Sequence, residues 1–177
     1  MGSVVSAIAR LVKRLVPAQG PEIHSLGVTL SGDVDRCTGA VHHSPFLNWH
    51  GVELAHLVER ATGVRTVIEN DVRALTAAEQ WFGAGAGISS FVLVTIGAGI
   101  GCGISLDGRV VSGAHGVSGE IGHLPVGAVD RICTCGNAGC VEAVASTQAI
   151  VEQARQVTGW RHRADHGGRR PVRPRRA

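Results

Sequence analysis

The chain has no tyrosine, and its 177 residues include only three tryptophans, three phenylalanines and one methionine. A platform that stacks single-stranded bases needs rows of rings, so that class of nucleic-acid binder is disfavoured. Lysine is reduced to Lys13, and every other basic residue counted in the charge is arginine. The formal net charge of +3 conceals an asymmetry, because residues 161–177 hold seven arginines against one aspartate. Residues 1–160 are therefore net acidic, with 10 basic and 13 acidic side chains, and lack the basic stripe of a nucleic-acid surface. Long apolar runs are missing too. None reaches the roughly 18 residues of a membrane helix, and the first segment, Ser3–Val16, is interrupted by Arg10, Lys13 and Arg14. It reads as neither a span nor a signal peptide. With no export signal, the five cysteines point to the reducing cytoplasm, where clustered thiols bind metal rather than pair with one another.

What is present is 44% hydrophobic residues and 25 glycines, enough apolar material for one sizeable core built from Val, Ala, Ile and Leu. In Ser3–Val16, the residues Val5, Ile8, Leu11, Val12 and Leu15 fall at helical spacing. That spacing predicts an amphipathic helix ending before Pro17, read as a packing helix in preference to a membrane-surface or targeting segment. Beyond Pro21 the chain alternates between β-like and helical stretches. His24–Leu30 reads as a buried strand ended by Ser31-Gly32-Asp33, Val52–Ala61 as a helix stopping near Gly63, and Val64–Ile68 as a strand leading into Glu69-Asn70-Asp71. Val72–Phe82 reads as a helix with Gly83 at its stop, and Phe91–Ile96 as a strand. The glycines from Gly97 to Gly103 mark a hairpin, Asp107-Gly108 a second turn, and Arg109–Ser112 a third short strand. A glycine-dense loop over Gly113–Gly122, a cysteine cluster and a helix from about Val141 to Val157 follow. Interleaved strands, hairpins and helices indicate an α/β protein. The expected divisions are an N-terminal helix over 1–25, a core over 26–160, and an arginine-rich tail over 161–177 too poor in apolar residues to order itself.

Among the residues that carry chemistry, the strongest group is His123, Cys133, Cys135 and Cys140, spaced H-x9-C-x-C-x4-C. Three thiolates and one imidazole complete a closed tetrahedral zinc site, structural because no position is left for water. Cys37 and Cys102 stand apart and read as small core residues. Asn70-Asp71 sits at a strand end that opens a helix, where ligands of α/β proteins commonly lie. A carboxylate there serves either as a base for a substrate hydroxyl or as a helix cap. Glu120 lies three residues before the zinc-ligating His123 on a glycine-flexible loop, and Glu142 two residues after Cys140. Both are placed to bind a polyol, and Glu142 alternatively to sit at a helix N-terminus. The Gly97–Gly103 hairpin can present N–H groups to phosphate, but it has no Walker lysine and serves equally as a tight turn.

In this order, several segments resemble the ROK family, which takes its name from repressors, open reading frames and kinases. They are Gly32-Asp33-Val34-Asp35 with Gly39, Ser44-Pro45-Phe46-Leu47-Asn48-Trp49, Glu69-Asn70-Asp71 and Trp81-Phe82-Gly83-Ala84-Gly85. The glycine hairpin, Gly119-Glu120-Ile121-Gly122-His123 and the cluster ending Gly139-Cys140-Val141-Glu142-Ala143 complete the set, over about Leu26 to Val157. The resemblance implies an actin-like, ribonuclease-H-like ATPase fold, here incomplete, with a zinc-binding loop and a sugar in a cleft between two α/β lobes. In kinases of this family the aspartate matching Asp71 is the catalytic base. Positions matching Asn70, Asp71, Glu120, His123 and Glu142 hold sugar hydroxyls, and His123 also binds the zinc. Gly97, Gly99 and Gly101 stand where such kinases bind phosphate. The chain departs from the kinases in three places. No D-x-G-x-T loop lies between Met1 and Leu26, the adenine-site stretch is replaced by the tail, and Ala98 stands where kinases usually carry threonine.

These departures predict a sugar-responsive repressor reduced to its effector region, truncated at both ends. It would bind a hexose or amino sugar, and would reach operator DNA only through a helix-turn-helix that the 20 residues before Pro21 do not supply. The rival reading is an ATP- and Mg2+-dependent hexose or N-acetylhexosamine kinase. Family members are often dimers or tetramers, an interface that truncation at both ends could remove, so the homo-oligomer is left open; no membrane contact is expected.

Overall fold

The computed structural model describes residues 2–15, 20, 22–114, 116–127 and 130–158. The tail over 161–177 and the breaks at Pro17 and Pro21 lie outside the described residues. The elements run α1 (Gly2–Leu15), β1 (Leu26–Leu30), β2 (Asp33–Asp35), β3 (Ala40–Ser44), β4 (Trp49–Val52), α2 (Leu54–Thr62), β5 (Thr66–Asn70) and α3 (Asp71–Phe82). They continue with β6 (Phe91–Ile96), β7 (Ile100–Leu106), β8 (Arg109–Val110), a 3-10 turn (Ile121–His123), α4 (Val141–Ala145) and α5 (Thr147–Thr158).

The main core joins β2, β3, β4, α2 and β5. Val34, Val41, Trp49, Val52, Leu54, Ala55, Val58 and Ile68 are buried together, and Val4, Val5 and Ile8 of α1 pack against them. The amphipathic stripe of α1 is therefore used at its N-terminal half, while Leu11 and Leu15 stay exposed. Helix α2 ends where Gly63 takes a left-handed φ of 72° and its N–H reaches the Glu59 carbonyl, the conformation glycine adopts without a Cβ penalty. Strands β1 and β5 pair in parallel from Leu26↔Thr66 to Leu30↔Asn70. A parallel pair needs a long crossover, and β2–β4 with α2 supply it. Both strands therefore end on the same side, which sets Ser31-Gly32-Asp33 beside Asn70-Asp71.

Several expectations need correction. The strand read as buried over His24–Leu30 starts at Leu26 and alternates half-buried with exposed positions, because successive side chains point to opposite faces and one face is left uncovered; its partner among the described residues is β5. The three-stranded antiparallel meander β2-β3-β4 falls where no strand was expected. Its strands are three to five residues long, too short to display a period, and a register shift follows Asp33. Cys37 is exposed rather than in the core. It sits in the β2–β3 turn, where Asp35 Oδ1 accepts the N–H groups of Cys37 (2.8 Å) and Thr38 (3.3 Å), and the Cys37 N–H foremost holds the Asp35 carboxyl below its ordinary range. Cys102 is buried as expected, and burial raises its thiol.

The helix expected over Val141–Val157 is two helices, broken at Ser146, whose ψ is 159°. Ser146 Oγ accepts the Ala149 N–H at 3.3 Å, the bond of an N-cap. The third sheet, β6-β7-β8, packs its β7 face on α3. Glycine is needed there for closeness: a Cβ on Gly103 would overlap the Thr76 side chain, and one on Gly101 would lie 2.6 Å from Val72 Cγ2. Gly101 is thus a strand residue paired with Thr95, not part of the turn, which is Gly97-Ala98-Gly99.

Gly103→Ala is expected to lower stability by about 1–3 kcal/mol through overpacking against α3. A urea midpoint unchanged from the parent would contradict this packing.

Candidate functional site

The site begins at the C-terminal end of β5. Asn70, at φ −63° and ψ 138°, is the N-cap of α3, and its Oδ1 accepts the N–H groups of Val72 (3.0 Å) and Arg73 (3.1 Å). Its Nδ2 donates to the Gly32 carbonyl at 3.1 Å, which ties the ends of β1 and β5 together. The cap is therefore Asn70, and Asp71 is released from that duty. Asp71 is exposed, and its Oδ1 accepts the adjacent Val72 N–H at 2.9 Å, so carboxylate capacity remains for a ligand hydroxyl.

Behind these residues lies a buried arginine that the sequence reading did not single out. Arg73 is 6% exposed. Its Nε and Nη2 bind Glu69 Oε1 at 2.8 and 2.7 Å, its Nη2 reaches the Val34 carbonyl at 3.3 Å, and its Nη1 donates to the Gly116 carbonyl. Glu69 Oε1 also accepts the Asn70 N–H at 2.8 Å. One guanidinium thus joins the end of β5, strand β2 and the loop that leads to Glu120. The only signal for it in the sequence is the i,i+4 spacing of Glu69 and Arg73. Asp33 Oδ1 is a buried acceptor without a hydrogen-bond partner, close to where a Cβ on Gly116 would lie (3.8 Å).

The structure brings His123, Cys133, Cys135 and Cys140 together, their donor atoms all within 4.8 Å of one another. Cys135 Sγ and Cys140 Sγ are 3.8 Å apart, and Cys133 Sγ lies 3.6 Å from His123 Nδ1. A disulfide would need about 2.05 Å, whereas tetrahedral zinc with bonds of about 2.3 Å to sulfur and 2.0 Å to nitrogen has edges of about 3.8 and 3.5 Å. The residues fit zinc. The Asn137 N–H holds the Cys135 thiol below its ordinary value, while burial and then the neighbouring thiols push Cys140 up to about 12. Turn bonds from Cys133 N–H to Asn137 O (2.8 Å) and from Gly136 N–H to Cys133 O (2.9 Å) shape the loop around the sulfurs.

His123 faces two ways. With Nδ1 on the thiol side, its Nε2 lies 3.8 Å from Glu120 Oε2, so the 3-10 turn over Ile121–His123 joins the cluster to an exposed carboxylate. Glu142, in the first turn of α4, is engaged on both oxygens. Oε2 accepts the Ile100 N–H at 3.0 Å and Oε1 the Thr134 hydroxyl at 3.1 Å. The hairpin turn is closed by Gly97 N–H to Gly99 O (3.0 Å), and its Gly97 carbonyl accepts the Thr147 N–H at 2.9 Å.

A family model described as the ROK family matches residues 2–169. The glucokinase of Thermotoga maritima is 39% identical over 148 residues, covering 83% of this chain and 46% of that protein. A crystal structure of a ROK family transcriptional regulator, a homolog of the E. coli MLC protein, superposes with a TM-score of 0.78 at 37% identity, over 89% of this chain and 41% of the other. A ROK family glucokinase from Streptomyces griseus, solved with glucose and AMPPNP, gives a TM-score of 0.77 at 32% identity, over 89% and 51%. The chain thus spans about half, or less, of the length of these relatives. Among the described residues no helix is long and apolar enough to cross a membrane.

Asn70→Ala is expected to cost about 1–2 kcal/mol through the lost cap, whereas Asp71→Asn, at an exposed position, should stay within about 0.5 kcal/mol of the parent. Arg73→Met should cost about 2–3 kcal/mol, because it takes the buried guanidinium from Glu69, which keeps the Asn70 N–H and the exposed Arg36 at 3.5 Å, and removes the donors to the Val34 and Gly116 carbonyls. Denaturant midpoints of the three variants check the ranking, and equal effects of Asn70→Ala and Asp71→Asn would contradict the capping assignment.

Proposed function

Because the chain belongs to the ROK family, we propose that it is the sugar-binding effector region of a ROK-family transcriptional regulator, held by a structural zinc ion. The observation that carries the reading is the double role open to His123, whose Nδ1 faces the thiols while its Nε2 faces Glu120. His123, Cys133, Cys135 and Cys140 would hold the ion. Four protein ligands leave no position for water, so the ion supplies rigidity rather than a reacting group. The ligand is a hexose or amino sugar. Asp71 and Glu120 offer exposed carboxylate acceptors, His123 Nε2 a ring nitrogen, and Asn70 the second proton of its amide, the first being spent on Gly32. Glu142 offers the lone pairs left over from Ile100 and Thr134.

Ala98 supports a regulator over a kinase. The Gly97-Ala98-Gly99 turn carries no side-chain hydroxyl to meet a phosphate, and Gly101 is taken up by packing on α3. Operator DNA would be bound by a helix-turn-helix domain, with sugar occupancy changing DNA affinity through linkage. The exposure of Asp71 at the N-terminus of α3 supports a second reading, an ATP-dependent sugar kinase. There Asp71 would take the proton of the attacking hydroxyl, with Mg2+ and ATP bound by Gly97 and Gly99 and by parts of a longer chain.

Metal analysis together with calorimetric titration of glucose and N-acetylglucosamine tests the proposal. One zinc per chain, saturable binding of one of the sugars and no sugar-dependent ADP release are expected. Steady ADP release would overturn the regulator reading in favour of the kinase, and Asp71→Asn should then abolish it. Cys135→Ala should lose zinc and weaken sugar binding at least tenfold. Undiminished sugar affinity in a zinc-free variant would break the link between the cluster and the sugar site.

A further inference from the structure

We propose that Glu142 is a positioning residue that gears the metal-binding loop to the Gly97-Ala98-Gly99 turn, so that loading of the cluster sets the position of that hairpin. The inference rests on the reading of the cluster as a zinc site. The Glu142 carboxylate touches both parts at once. Oε1 accepts the hydroxyl of Thr134, the residue between two cysteines of the cluster, and lies 3.8 Å from Cys133 Sγ; Oε2 accepts the Ile100 N–H at 3.0 Å. Ile100 is the first residue of β7, directly after the turn, and its N–H is partly buried. Gly99 permits this approach, since a Cβ there would lie 2.7 Å from Glu142 Oε2. From the other side, Thr147 N–H holds the Gly97 carbonyl at 2.9 Å. Both struts come from the segment that follows Cys140, so the turn is held by that segment as well as by the β6–β7 ladder it closes.

A carboxylate has about four acceptor positions, and two are committed here. A ligand hydroxyl arriving at Glu142 would add to the same group and pull on the same amide. The gearing therefore works through hydrogen-bond geometry, with no change in the protonation of any ligand of the metal. Its two anchors differ in kind. Thr134 couples the carboxylate to the loop, and Ile100 couples it to the hairpin. Removing the first should disconnect the two parts while leaving the four metal ligands intact.

Amide hydrogen exchange at Ile100, followed by NMR in the zinc-loaded and the chelator-stripped protein, tests the proposal. In the parent, stripping should speed exchange at Ile100 about tenfold or more. In Glu142→Ala the amide should exchange fast in both states although one zinc per chain remains. Glu142→Gln keeps an acceptor oxygen and should retain protection. In Thr134→Val, protection at Ile100 should no longer depend on zinc. Parent-like protection in zinc-loaded Glu142→Ala, or an undiminished zinc response in Thr134→Val, would overturn the inference. A parent that binds no zinc would instead overturn the underlying reading of the cluster, which metal analysis distinguishes.

Discussion

The ion pair between Arg73 and Glu69 is the constraint on which the candidate site depends. A guanidinium presents a rigid fork of donors, and here the fork is shared among a carboxylate on β5, a carbonyl on β2 and a carbonyl on the loop after β8. Strands β2 and β5 already share the main core through Val34 and Ile68, and the guanidinium adds the loop to them. Burying the charge is tolerable because each donor direction used has an acceptor. The consequence is positional: Glu69 receives the Asn70 N–H, Asn70 caps α3, and Asp71 is left at the surface with its carboxylate available. The placement of Asp71 at this end of β5 thus rests on a side chain buried behind it.

The cysteine-bearing loop is built on a different principle. From Leu124 to Cys140 the chain has few core positions, and Leu124, Val126 and Ile132 are exposed, so hydrophobic burial contributes little to its order. Side-chain donors converging on one point and a few turn bonds hold it instead. Metal binding at such a point is folding free energy for the loop, which is why the proposed zinc matters to Glu120 and His123. The hairpin leans on this loop through Glu142 and Thr147, so the turn, Glu142 and the cysteine loop form one hydrogen-bonded unit.

Much of the α/β order was legible because it is local. The helical spacing of α1, the stop at Gly63 and the β-runs before Asn70 and Gly97 all show within a dozen residues. The meander over β2–β4 was not legible, since strands of three to five residues show no period and Val34 and Val41 are buried by partners distant in the chain. The break at Ser146 left a signal, a Ser-Thr pair suited to an N-cap, that the longer apolar periodicity masked. Cys37 looked like a core thiol by type, yet the Asp35 turn bonds place it outside.

The sequence by itself determined the residue types that could meet: the metal-ligand spacing, the strand-to-helix junction at Asn70-Asp71, the carboxylates at Glu120 and Glu142, and the family to which these belong. The tertiary structure decided which of them are already engaged. Asn70 to Gly32, Arg73 to Val34, Ile100 to Glu142 and Arg73 to Gly116 join residues 38, 39, 42 and 43 positions apart. A contact at such separation leaves no periodic trace in the chain, because it is selected by how elements pack rather than by the conformation of any one of them.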